Sequence, residues 1–212
     1  VAEEKKVVAA NVTIPAGYTI VWSGQFEYME RAEARLRILV PATLLIIFML
    51  LYLNFRNVVE PAIVMLSIPF GLIGGIWLIY SLGYNMSVAV AVGFIALAGM
   101  AAEIGVLVLS FIDGEIARQH TATAGRLAAA QIREAVRHAT SMRVRPVVMT
   151  AVSTMGGLVP IMLSSGAGSD VTHRIAAPML GGMLTVLVLN LLVLPVIYSL
   201  VLQSQELRRG PQ

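Results

Sequence analysis

The sequence predicts an all-α membrane protein built on five transmembrane helices, preceded by the short tail of a soluble α+β domain. Three observations carry this. Of the 212 residues, 58% are hydrophobic and only 13% charged, and the mean hydropathy is +0.82, outside the usual range of soluble chains. The charges are gathered into a few stretches, so that long runs contain none or one. Five such runs, 36–53, 61–82, 86–112, 146–165 and 175–202, approach or exceed the roughly 20 residues a helix needs to cross the hydrocarbon core.

Residues 1–30 have a different character. "NVTIPAGYTIVWSGQ" alternates apolar and polar residues around a Pro and two glycines, as a half-buried strand does, and reads as the end of a soluble domain. The chain opens on Val with no signal-peptide pattern before this polar stretch, so it is expected to be part of a longer polypeptide. From Glu27 onward acids precede arginines at helical spacing, Glu27 with Arg31 and Glu33 with Arg37, which supports a helix entering the membrane. Residues 31–205 form the expected transmembrane domain and 206–212 a tail.

The connections are short except for 113–145. There Leu127, Ile132, Ala135, Val136, Ala139 and Met142 share one helical face, while Arg126, Arg133 and Arg137 share another. The pattern predicts an amphipathic helix lying on the membrane surface. Five spans place the ends of the chain on opposite sides. The side holding the 54–60 loop, the 113–145 connection and the tail carries nine of the fifteen Lys and Arg residues, so it is assigned as cytoplasmic, with the N-terminal end outside. Small residues such as Gly71 and Gly75, four apart, and the "APMLGGM" stretch around Pro178, Gly181 and Gly182 allow close helix approach where lipid supplies no hydrophobic drive.

One residue stands against this apolar background. "FIALAGMAAEIGVLVLSF" carries a single carboxylate, Glu103, near its middle. An acid at mid-bilayer costs about 2.5 to 3.5 kcal/mol on insertion scales, so it is expected to face a partner helix or a water-filled crevice. Ala96 and Gly99, seven and four positions before Glu103, and Ala102 beside it give the helix a small-residue face suited to that. Glu103 is the candidate proton-exchanging group, ionised when water enters and neutral when it leaves. Hydrogen bonding between two helices is the competing role. Glu60, Asp113 and Glu115 flank spans and read as interfacial residues.

Among the 11 Met, Met100 lies one turn before Glu103, and Met179 and Met183 are four apart on the last span. Thioethers suit soft cations such as Cu(I) and Ag(I), but Met equally fills irregular helix contacts. No Cys is present, and the three His lie outside the spans without partners at ligand spacing. There is no nucleophile elbow, phosphate loop, HExxH or nucleic-acid module. Neither an enzyme nor a cofactor nor a nucleic-acid partner is expected.

Several stretches carry a further signal: "WSGQFEYMERA", "PATLLIIFMLLYLNFR", "GGIWLIYSLGYNMSVAVAVGFIALAGMAAE", "RVRPVVMT" and "GAGSDVTHRIAAPMLGGM". Together, from about residue 18 to 202, they resemble the C-terminal half of the inner-membrane pump subunit in the heavy-metal efflux branch of the resistance-nodulation-division (RND) transporters. The resemblance implies a proton antiporter exporting metal cations across the inner membrane. It implies a homotrimer working with a periplasmic adaptor and an outer-membrane channel, and a missing N-terminal half of the same pump. It places the soluble tail and the N-terminal end in the periplasm, the C-terminal end in the cytoplasm, and Glu103 on the family's relay glutamate. Two positions depart from the copper and silver members: Val147 stands where a relay Lys follows "RP", and Thr172 where a Met follows "GAGSxV". Both departures keep cobalt, zinc or cadmium open beside copper or silver. An RND pump for organic compounds and a truncated, non-transporting membrane partner are the other readings.

Overall fold

The computed structural model describes Val7 and residues 25–122 and 127–208. The strand expected in residues 11–25, apart from Gln25, lies outside the described residues, as does Arg126. The chain divides into two units, Val1–Leu44 and Leu45–Gln212. In the first, residues 25–44 are the opening turns of helix α1, Gln25–Phe55. In the second, the end of α1 is followed by α2 (Val59–Ser81), α3 (Val88–Ala122), α4 (Ala129–Leu163), α5 (Ser169–Val188) and α6 (Leu194–Arg208). A π-turn at Leu189–Val193 joins α5 to α6 in one continuous rod. Among the described residues there is no strand, and five helical stretches are long and apolar enough to span a membrane.

Helix α5 is the hub of the second unit and packs on α2, α3 and α4. Its tightest junction is with α2, where glycine brings the backbones together. A Cβ added at Gly71 would meet Val186 Cγ2 at 2.6 Å, one at Gly75 would meet the Pro178 carbonyl oxygen at 2.8 Å, and Gly74 and Gly181 each face the other's carbonyl oxygen. The small-residue spacing seen in the sequence is thus a close-packed seam. Val64, Val90, Leu97, Val108, Leu109 and Ile112 fill the interior around it, each fully buried. The outside is apolar too: Leu66, Phe70, Ile76, Trp77 and Tyr80 of α2 are all exposed, the surface expected where lipid is the solvent.

Residues 129–145 do not form a separate surface helix. They are the first half of α4, continuous with the span after it. The expected apolar face is present, with Leu127, Ile132, Ala135, Val136 and Ala139 buried and Met142 exposed. It is covered by protein, because α3 also continues beyond its apolar run to Ala122, and α4 packs on α3 and α6. A period of 3.6 residues marks a buried stripe without saying whether lipid or another helix covers it.

A proline follows the π-turn. Pro195 has no N–H to offer the Leu191 carbonyl, and Leu194 N–H reaches five residues back to the Leu189 carbonyl. Within this turn sits Asn190, fully buried, its Nδ2 donating to the Ala101 carbonyl of α3 at 3.2 Å and its Oδ1 without a partner. An unsatisfied buried acceptor costs about 1 to 3 kcal/mol. The Ala101 carbonyl keeps its helical partner when Asn190 is removed, so Asn190→Leu is expected to leave stability unchanged or raise it by about 1 kcal/mol, read as the thermal unfolding midpoint in detergent. A clear drop would show that the amide holds α3 to the last rod.

Candidate functional site

Helix α3 carries Glu103 on its open side. Leu97, Ala101, Ile104 and Val108 turn into the bundle and are buried, while Val92, Ile95, Gly99, Glu103, Leu107 and Ser110 form an exposed stripe along the helix. Of the small residues around the acid, Ala102 is buried and Ala96 half-buried, but Gly99 faces open space, with no atom within 4 Å of an added Cβ. Glu103 forms no hydrogen bond or ion pair among the described residues. It borders a crevice of about 170 Å³ between α3, α4 and α5, whose wall includes Met100, Arg143, Val147, Thr150 and Met183.

This crevice joins several residues that are far apart in the chain. Met183, 1% exposed, and half-buried Met100 bring two thioethers to its wall, whereas Met179 is half-buried and not part of it. Val147 is buried in the same wall, so an aliphatic side chain occupies the place where the resemblance puts a lysine. The cation of the crevice is Arg143, one turn earlier on α4. Its guanidinium carbon lies 3.3 Å from the centroid of the Phe111 ring, and its Nε is buried without a hydrogen-bond acceptor. Stacking on an aromatic face is a common way for Arg to sit in weakly hydrated surroundings. Among the described residues, no three His, Cys, Asp or Glu side chains are grouped as a metal site.

A second polar locus lies nearer the far ends of the helices. Glu60 in the first turn of α2 is 6% exposed, and its Oε1 accepts from Tyr198 Oη at 3.1 Å and from Asn57 Nδ2 at 3.1 Å. Tyr198 of α6, 1% exposed, also lies in hydrogen-bond contact with Asp113 of α3. Glu60 and Asp113, which the sequence marks only as acids flanking spans, converge on one buried hydroxyl. Three other acids nearby have basic neighbours: Arg118 at 3.0 Å and His138 at 3.9 Å from Glu115, His120 at 3.4 Å from Glu206, and Arg137 at 3.2 Å from Glu134. Sequence reasoning passed over Tyr198 and Asn190. A tyrosine and an asparagine late in an apolar run were the only signals, and nothing local pairs them with residues 85 to 138 positions away.

The chain as a whole is similar to known proteins. The sequence pattern of the AcrB/AcrD/AcrF family matches residues 1–202. The chain is 45% identical over 197 residues to the cation efflux system protein CusA of Escherichia coli strain K12, covering 92% of this chain and 19% of that protein. It is 39% identical over 206 residues to the cobalt-zinc-cadmium resistance protein CzcA of Cupriavidus metallidurans, covering 97% of this chain and 18% of that protein. Among solved structures, the crystal structure of a heavy metal efflux pump superposes with a TM-score of 0.76 at 33% identity, covering 94% of this chain and 19% of that one. The chain thus spans about a fifth of the length of these relatives, and its resemblance to the heavy-metal branch of the RND transporters holds throughout that length.

Proposed function

The chain belongs to the AcrB/AcrD/AcrF family, and from that premise we propose that it is the C-terminal part of a proton-driven exporter of heavy-metal cations, with Glu103 as the group that takes up and releases the proton. The observation that carries the reading is the position of Glu103: an acid without a partner, on the open stripe of α3, at the mouth of a crevice otherwise walled mainly by apolar side chains. Lipid against that stripe would impose the insertion cost of a mid-membrane acid. Water in the crevice, or a helix from the missing half of the pump, removes that cost, and alternation between the two gives the acid two environments. The open space beside Gly99 suits such a helix, because a missing Cβ permits close approach.

Metal enters as cargo. Met100 and Met183 bring soft thioether donors to the acid's crevice, while Val147 and Thr172 depart from the copper and silver pattern, so the class proposed is heavy-metal cations and the individual metal is read by experiment. The assembly proposed is a homotrimer in the inner membrane with a periplasmic adaptor and an outer-membrane channel, its C-terminal end cytoplasmic and its N-terminal end periplasmic. The test is transport by the complete gene product in proteoliposomes under an imposed pH gradient, with copper, silver, zinc, cobalt and cadmium offered separately. Metal movement that stops when the gradient is collapsed is the expected result. Movement that continues unchanged overturns proton coupling. Transport of organic compounds alone, or of nothing, favours the other two readings.

A further inference from the structure

We propose that Glu60, Tyr198 and Asp113 form a second proton-holding unit, in which one proton is shared between two carboxyl groups through a tyrosine hydroxyl. The argument is a count of protons. Tyr198 Oη contacts Glu60 Oε1 at 3.1 Å and is in contact with Asp113 Oδ1, yet a phenol has a single proton to donate. Two hydrogen bonds from one hydroxyl to two carboxyl oxygens require a second proton, and it must sit on one of the acids. Among the described residues no Lys, Arg or His pairs with Glu60 or Asp113. The basic residues described on the neighbouring elements are engaged elsewhere, Arg118 and His138 with Glu115, His120 with Glu206, Arg137 with Glu134 and Arg143 on Phe111, while Arg56, Arg133 and Arg145 are exposed. Among the described residues nothing else offsets two carboxylates meeting at one buried hydroxyl.

The geometry also says which acid holds the charge. Glu60 stands in the first turn of α2, where the N-terminal end of a helix favours an anion, and its Oε1 has two donors, Tyr198 and Asn57. Asn57 is itself fixed to that helix end, its Oδ1 accepting from Val58 N–H at 2.7 Å. Asp113 lies within α3, half-buried, with Tyr198 as its only hydrogen-bond partner among the described residues. In the resting arrangement Asp113 therefore keeps the proton and donates it to Tyr198 Oη, which donates its own to ionised Glu60. Transfer along this chain is balanced. The Asp113 proton passes to Tyr198 Oη as the tyrosine proton passes to Glu60 Oε1, leaving Asp113 ionised, Glu60 neutral and the phenol unchanged. The unit lies ten residues along α3 from Glu103, roughly 15 Å at 1.5 Å per residue, towards the 113–145 end of the bundle.

The proposal does not depend on metal export, and infrared difference spectroscopy of the complete gene product in lipid tests it. The measurement is made in a Glu103→Gln background, which removes that carboxyl's own signal. The expected result is a carbonyl stretch of a protonated carboxyl at neutral pH that is lost in Asp113→Asn and equally lost in Glu60→Gln, since either change lets the single tyrosine proton serve the remaining acid. Tyr198→Phe, which keeps the ring's packing, is expected to move the pH at which the band disappears. Absence of the band, its survival in Glu60→Gln, or a pH midpoint unmoved by Tyr198→Phe overturns the shared proton. Finding the band while export ignores the pH gradient keeps this unit and removes the proton-driven reading of the pump.

Discussion

Replacing Glu103 by Gln in the complete gene product is expected to bring metal tolerance down to that of cells lacking the gene, at equal membrane expression. Gln keeps the size of the side chain and its capacity for hydrogen bonds, but it cannot exchange a proton. One proton driven through about 100 mV supplies about 2.3 kcal/mol. At about 1.4 kcal/mol per tenfold, that is enough to hold roughly a fiftyfold gradient of an otherwise electroneutral exchange. Loss of a proton per cycle should therefore lower the steady-state gradient by more than an order of magnitude, a larger effect than a packing change at an exposed position produces. Glu103→Asp keeps the titrating group and should retain part of the function. Tolerance in the Gln variant equal to wild type would mean that the acid at the crevice is a packing residue.

Glu103 was legible because its setting is local: one carboxylate in eighteen residues of apolar sequence is anomalous wherever the helix packs. What surrounds it was less legible. The small residues beside it suggested a face closed against a neighbour, yet Gly99 opens on empty space and Ala96 is half-buried, while Ala101, Ala102 and Gly105 are buried. Spacing on one helix shows that a close approach is possible without showing which helix makes it. Met100 and Met183 meet at one crevice while Met179 does not, a distinction that depends on how α3, α4 and α5 cross. The unit of Glu60, Asp113 and Tyr198 was hidden for the same reason, since each residue taken alone resembles an ordinary helix-end acid or a half-polar aromatic.

The five spanning helices were legible because the hydrocarbon core imposes a length, and apolar runs of that length have few other uses. Their ends were not. Hydropathy stops where charges begin, but α3 and α4 continue past that point as one helix each, to Ala122 and from Ala129, because they pack on one another outside the apolar runs. The π-turn at Leu189–Val193 was equally silent. A proline in an apolar run announces a missing donor, but whether the chain kinks or widens by one residue is settled by what the neighbouring helices need. Here the widened turn holds Asn190 against α3 and sets the register of the residues after it, Tyr198 among them.

The second large effect is expected at the seam between α2 and α5. A methyl group at Gly181 would stand 2.6 Å from Leu78 Cβ and closer still to the Gly74 carbonyl oxygen, and one at Gly74 would strike Thr185 and the Gly181 carbonyl. A side chain struck in this way can rotate, but a helix carbonyl cannot move without moving its helix, so the two backbones must separate. Overpacking in an ordinary core costs about 1 to 3 kcal/mol. Here it also costs contacts along the whole seam, since Gly71 and Gly75 rely on the same approach. Gly74→Ala with Gly181→Ala is accordingly expected to abolish the folded bundle in detergent, and either change alone to lower its unfolding midpoint sharply. Gly156→Ala and Gly157→Ala on α4 meet no atom within 4 Å and should leave the midpoint unchanged. If the seam variants behave like these controls, the glycines are not what brings α2 and α5 together, and the core must owe its stability to the aliphatic contacts of α3.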